Sequence, residues 1–234
     1  MSNTPHSANP HMPEAKTNAL QAALDWAKAH QEMMAISVIG VILLAIGVPF
    51  YLNSQGKNER EAQDIFTRGQ YYLRAQVDPV KGPFKSANDK NEQALKTFQL
   101  IVSDYSGTST AKIARFYVAK CQYVLQQFSV AYASFDSAGS ALRGTPLADQ
   151  AYFGRILCME GQSQWPGAIT LAESFLKEKP DSFLVPEIQV NLSELYLRNK
   201  EKEKALDLLK KVAQADPTGE WGREASRRLA GMKS

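Results

Sequence analysis

The residues able to do covalent or metal chemistry are few and badly spaced for it. His6, His11 and His30 all precede an uncharged apolar run at 33–52, and the two cysteines, Cys121 and Cys158, follow it. No zinc or haem spacing can be assembled from them. After the run there is no glycine-rich phosphate loop, no nucleophile elbow and no histidine-based motif. The acidic residues fall in stretches such as "NKEKEKA" and "EKEKALDLLKK", which read as solvated helix faces with opposite charges four apart. The sequence therefore predicts no enzyme, no cofactor, no metal and no small-molecule substrate. With 27 basic against 24 acidic residues, the net charge of +3 is too small to point to nucleic acid or to an anionic lipid surface.

The cysteines instead lead to the elements that carry them. They lie 37 residues apart, and so do Ala94, Ala131, Ala168 and Ala205, which open the segments "ALKTFQLI", "AYASFDSA", "AITLAESF" and "ALDLLKKV". Each alanine is followed one, four and seven positions later by apolar residues: Leu95, Phe98 and Ile101; Tyr132, Phe135 and Ala138; Ile169, Ala172 and Phe175; Leu206, Leu209 and Val212. That spacing is one face of a helix, written four times. A constant period in this range predicts a solenoid whose units bury their apolar faces on one another. Thr108, Thr145 and Ser182 keep the same interval ahead of a second helical stretch and are expected to cap it. Phe116, Phe153 and Val190 follow at matching positions. Gly107, Gly144, Pro180-Asp181 and Asp216-Pro217 mark where second helices end. Each unit is thus a helix pair. Cys121, Cys158 and Leu195 are equivalent positions on successive first helices, about 8–10 Å apart. A disulfide needs Cα atoms within about 7 Å, so two unbridged core cysteines are expected.

This pattern resembles the tetratricopeptide repeat. "NLSELYLRNKEKEKALDLLKKVAQADP", residues 191–217, has Leu192, Tyr196, Ala205, Leu209 and Pro217 at that family's key spacings, with Ser193 where its small residue sits. Three units match well. The first is less regular: Gly69 and Tyr72 fit, but Ala94 arrives thirteen residues late, after an insertion at 77–89. That segment reads as a surface insertion, with a partner-binding loop as the alternative. Residues 221–232, with Arg223, Arg227 and Arg228, read as a polar capping helix. In tetratricopeptide solenoids the first helices line a concave face that receives extended or helical peptides. The resemblance therefore implies that Gln70, Arg74, Lys120, Tyr123, Gln150, Glu160, Glu187, Glu194 and Arg198 face a peptide groove. Their mixed signs fit varied chains. Phe66, Phe116, Phe153 and Val190 stand where the family's carboxylate-binding clamp has its first lysine, so that mode is not expected.

The apolar run is twenty residues long, roughly 30 Å as a helix, the thickness of a bilayer core. A secretory signal has a shorter apolar stretch and a small-residue cleavage site, whereas 32 residues precede this run and it ends in Val48-Pro49-Phe50-Tyr51-Leu52. A core helix of a soluble domain shows a polar face, and this run has none. An uncleaved membrane span is expected, with Trp26 and Phe50-Tyr51 near its interfaces. Lys16 and Lys28 before it and Lys57, Arg60 and Arg68 after it leave the orientation open. Its small residues never fall four apart, so no dimer face of that type is evident. Residues 1–17 read as a disordered tail. Residues 18–32 read as a juxtamembrane helix, either interfacial or partner-binding, or a plain extension of the span.

The expected architecture is all-α: one N-terminal transmembrane helix at 33–52, then a tetratricopeptide-like α-solenoid at 58–234. Its units fall at about 58–107, 108–144, 145–181 and 182–217, with a cap at 218–232. This layout resembles the bacterial family of ancillary SecYEG translocon subunits, which carry the cell-division-coordinator type of repeat domain. The resemblance implies an inner-membrane protein with a cytoplasmic N-terminus and a periplasmic solenoid. Translocon subunits and a membrane-anchored prolyl-isomerase chaperone are the implied partners, and assistance to newly exported chains the implied role. Two alternatives stay open: an assembly factor for another envelope machine (division, pilus or cytochrome maturation), and a receptor facing the cytoplasm.

Overall fold

A computed structural model describes residues 14–78 and 82–232. Among them are ten α-helices and no strand: α1 (Glu14–Ala29), α2 (Gln31–Arg74), α3 (Ala87–Asp104), α4 (Ser109–Val124), α5 (Phe128–Ala141), α6 (Pro146–Gly161), α7 (Trp165–Glu178), α8 (Val185–Arg198), α9 (Lys202–Ala215) and α10 (Glu220–Gly231). Residues 1–13 of the expected disordered tail lie outside the described residues, and α1 takes in 14–17.

The chain divides into two compact units, 1–54 and 55–234. In the first, α1 ends at a turn where the His30 amide donates to the Trp26 carbonyl at 3.1 Å and the two rings stack at 4.8 Å. The apolar run follows on α2, with Ile36, Ile39, Val41, Leu43 and Ile46 all more than half exposed. Among the described residues α2 is the one helix long and apolar enough to cross a membrane.

The sequence separates a membrane helix at 33–52 from a solenoid helix beginning near 58, but α2 is unbroken over 44 residues. The joint Asn53-Ser54-Gln55-Gly56-Lys57 has a glycine and no proline. A helical glycine costs about 1 kcal/mol against alanine, which weakens a helix without stopping it. Pro49 also lies inside α2.

In the second unit the helices alternate as first and second members of successive pairs: the C-terminal part of α2 with α3, then α4 with α5, α6 with α7, and α8 with α9. The alanines that set the period, Ala94, Ala131, Ala168 and Ala205, have no exposed surface. A methyl group there lets second helices approach their neighbours closely. The buried side chains form four clusters in series along the solenoid, the arrangement expected when each repeat packs only on the next. Cys121 and Cys158 are free and buried, and burial pushes both thiols up to about 12, so neither is a reactive thiolate at neutral pH.

Of the three expected caps, one acts as such. The Thr108 hydroxyl accepts from the Ala111 amide at 3.0 Å. That of Thr145 donates to the Leu142 carbonyl at 2.7 Å and makes no cap bond. Ser182 donates to Asp149 at 2.7 Å, and α8 is preceded directly by Leu184. Both α6 and α8 carry a proline in their first turn, but only Pro186, second in α8, removes an amide that a capping side chain would reach; Pro146, first in α6, does not. Thr108→Ala is therefore expected to cost about 1 kcal/mol in urea unfolding, and Thr145→Ala clearly less.

A second group serves the start of α4. Glu59, on α2, accepts from the Ser109 amide at 2.7 Å, the Thr110 amide at 3.1 Å and the Thr110 hydroxyl at 2.6 Å. Burial raises its pKa, but the hydrogen bonds from Thr110 and Ser109 outweigh this and hold it below the usual carboxylate range. A depressed folded-state pKa contributes stability above the unfolded value, lost as pH falls through the folded one. Glu59→Gln is expected to flatten the stability profile over that acid range and to change it less near neutrality than Glu59→Ala, as read by urea midpoints from pH 3 to 7.

The insertion at 77–89 is tied down, although 79–81 lie outside the described residues. Phe84 is buried edge-on to Tyr72 at 5.6 Å. Lys90 donates to the Leu73 carbonyl at 2.9 Å and the Ala75 carbonyl at 3.1 Å, closing the end of α2 with a cation.

Candidate functional site

Three first helices bring their polar and apolar groups to one open cavity of about 390 Å³. Phe116, Lys120, Tyr123 and Val124 come from α4, Gln150, Phe153, Gly154 and Leu157 from α6, and Glu187 from α8, with Phe135 of α5 and Leu184 completing the wall. On α4 and α6 the lining positions recur every three or four residues, so one helix face supplies each set. The volume suits a few side chains of a partner.

Four of the nine groove candidates, Lys120, Tyr123, Gln150 and Glu187, line this cavity. Lys120 stands over the rings of Phe116 and Tyr117, 5.8 and 5.6 Å from their centroids. Burial raises the Glu187 carboxyl, and the charge of Glu220 adds to the effect. Burial raises the Tyr123 phenol, and Glu160 contributes. Glu160 accepts a hydrogen bond from Asn191 at 3.0 Å. The remaining candidates lie outside the cavity wall. Arg74 donates to Gln70 at 3.4 Å, and Gln70 to the Tyr117 hydroxyl at 3.5 Å. Glu194 is held by Arg198 at 3.3 Å and by Arg228 of the capping helix at 2.9 Å, so both are engaged within the protein.

The apolar lining escaped the site prediction. Phe116 and Phe153 are visible as a 37-residue pair at matching positions of successive units, and the sequence reading gives them no part in binding beyond excluding the carboxylate clamp. Nothing local marks Leu157 or Leu184, or Asn191, whose buried Oδ1 has no hydrogen-bond partner.

No family model matches the chain, and no curated protein matches it. Among solved structures it is similar to a Podosopora anserina kinesin light chain-like protein with nearly identical TPR-like repeats, at 12% identity and a TM-score of 0.57 over 74% of this chain and 85% of that one. A single-substitution variant of that protein matches at 12% identity and a TM-score of 0.58, over 74% and 84%. At this identity the likeness shows the fold. The chain is an all-α protein with a tetratricopeptide-like solenoid.

Proposed function

We propose that this chain is a membrane-tethered, non-catalytic scaffold or co-chaperone that binds segments of partner proteins in the groove of its solenoid, beside the secretion translocon. One observation carries the binding part: three groove residues from successive first helices, Lys120, Gln150 and Glu187, surround one apolar cavity with side chains that make no hydrogen bond or ion pair to any described residue. Polar groups around an apolar hollow are the usual composition of a binding site. The exposed apolar face of α2 supports the tether. A tether raises the local concentration of the groove beside a membrane machine without any new contact. The translocon, the prolyl-isomerase chaperone, the bacterial inner membrane and the periplasmic placement of the solenoid rest on the layout the sequence shares with ancillary translocon subunits.

The test is a photo-crosslinker at Gln150 in intact membranes, with one at exposed Ser137 as control. Translocon subunits or the chaperone recovered from position 150 and not from 137 is the expected result. Recovery of division or pilus proteins without translocon subunits overturns the assignment. Orientation is read by replacing exposed Ser226 with cysteine. The native thiols, buried and pushed up to about 12, give little background, so labelling by an impermeant maleimide after outer-membrane permeabilisation is expected, and protection sinks the periplasmic placement.

A further inference from the structure

The groove is charged differently at its two ends, and we propose that it selects segments carrying a carboxylate on one side of an apolar side chain and a basic group on the other. This rests on the peptide-groove reading above. Toward the N-terminal repeats the cavity presents Lys120 of α4, whose ammonium is steadied by two aromatic rings and has no carboxylate partner among the described residues. Rings leave the charge intact and its hydrogen bonds available. Toward the C-terminal repeats it presents Glu187 of α8, half-buried, with no basic partner and with the negative charge of Glu220 nearby.

Several other charges of this solenoid are neutralised internally. Arg155 pairs with Asp136 at 3.1 Å, Asp149 with Lys179 at 2.5 Å, and Glu194 with Arg198 and Arg228. Lys120, which is exposed, and Glu187, which is half-buried, have no such partner among the described residues, and they face one cavity. A half-buried carboxylate without a counter-charge is unfavourable, so a cation arriving with the ligand is favoured there, and a carboxylate at Lys120. Between them Phe116, Phe153 and Leu157 offer an apolar seat for an aromatic or aliphatic side chain. Because the two charges lie on different repeats, a ligand meets both only when extended along the solenoid. Each partly exposed pair is expected to change affinity about two- to fivefold.

The test uses the full-length protein in nanodiscs of zwitterionic lipid and fluorescein-labelled dodecapeptides with a common Ser-Phe-Leu-Ser centre. One is flanked by aspartates on one side and lysines on the other, one by aspartates on both sides, and one by lysines on both. Anisotropy should show the mixed peptide binding at least about fourfold tighter than either other, the product of one pair gained and one repulsion avoided. Glu187→Lys should shift the preference to the aspartate-flanked peptide, and Lys120→Glu to the lysine-flanked one. Lys120→Gln and Glu187→Gln serve if a reversal unfolds the protein, seen as lost helical circular dichroism, and each should shrink the preference. Binding of all three peptides with a ranking the variants leave unchanged overturns the charge selection and leaves the groove standing. Failure of the wild-type protein to bind any of them overturns the groove reading itself.

Discussion

Phe98→Ala is expected to lower the unfolding free energy by about 3–5 kcal/mol, the usual cost of removing a fully buried phenylalanine. The ring has no exposed surface, and its neighbours are rings as well: Phe66 at 5.3 Å and Tyr117 at 5.0 Å. It lies against the backbone of Gly69, where a Cβ would come within 2.6 Å of it. Gly69 has no side chain that could relax into the vacated space, and the two neighbouring rings are stiff, so the cavity stays open and the cost falls at the upper end. Because solenoid repeats are stabilised by their neighbours, the loss should be felt unevenly. Hydrogen exchange is expected to speed up in α3 and α4, with α8 and α9 keeping their protection. Phe98→Leu, which keeps most of the volume, should cost about 1–2 kcal/mol. A fall of less than 1 kcal/mol for the alanine variant, measured by urea unfolding, would show that the first repeat adds little to the fold.

The helix pairs were legible because their signal is local and repeated: one alanine and three apolar residues at fixed offsets specify a buried face wherever the chain leads. The boundaries were less so. The joint between apolar run and solenoid carries a glycine, and whether a glycine interrupts a helix depends on what packs around it; here α2 runs on. Thr108, Thr145 and Ser182 look alike in sequence, yet only the first caps, while the Thr145 hydroxyl donates to the Leu142 carbonyl and that of Ser182 to Asp149. Of the nine candidate positions, four in the middle come together at one cavity and those at the ends do not. Glu194 and Arg198 belong to the first-helix face, but Arg228, 34 residues beyond Glu194, reaches back from α10 to hold Glu194. Glu59 is likewise claimed by amides about 50 residues away. Pairings of that length leave no periodic trace, and they decide which charges remain for a ligand.

Gly154→Ala is expected to weaken peptide binding about tenfold and to destabilise the solenoid by about 1–3 kcal/mol, the usual cost of overpacking. An alanine ordinarily stabilises a helix interior by about 0.5–1 kcal/mol relative to glycine, so the sign depends on what the methyl group meets. At Gly56, inside α2, an added Cβ meets nothing within 4 Å, and Gly56→Ala should show the ordinary gain. At Gly154 the added Cβ would lie 2.6 Å from the Phe135 ring, closer than carbon atoms approach. Phe135 is 4% exposed and packs on Phe116 at 5.9 Å, so it must move against a second buried ring. Both rings line the cavity, and displacement of either changes the seat offered to a ligand. The repulsion therefore exceeds the helix gain, and affinity falls with stability. Phe135→Leu in the Gly154→Ala background makes room for the methyl group, so the double variant should be at least about 1 kcal/mol more stable than the sum of the single effects. Strict additivity in that cycle, with peptide affinity unchanged in Gly154→Ala, would mean that the glycine holds neither the ring nor the groove in place.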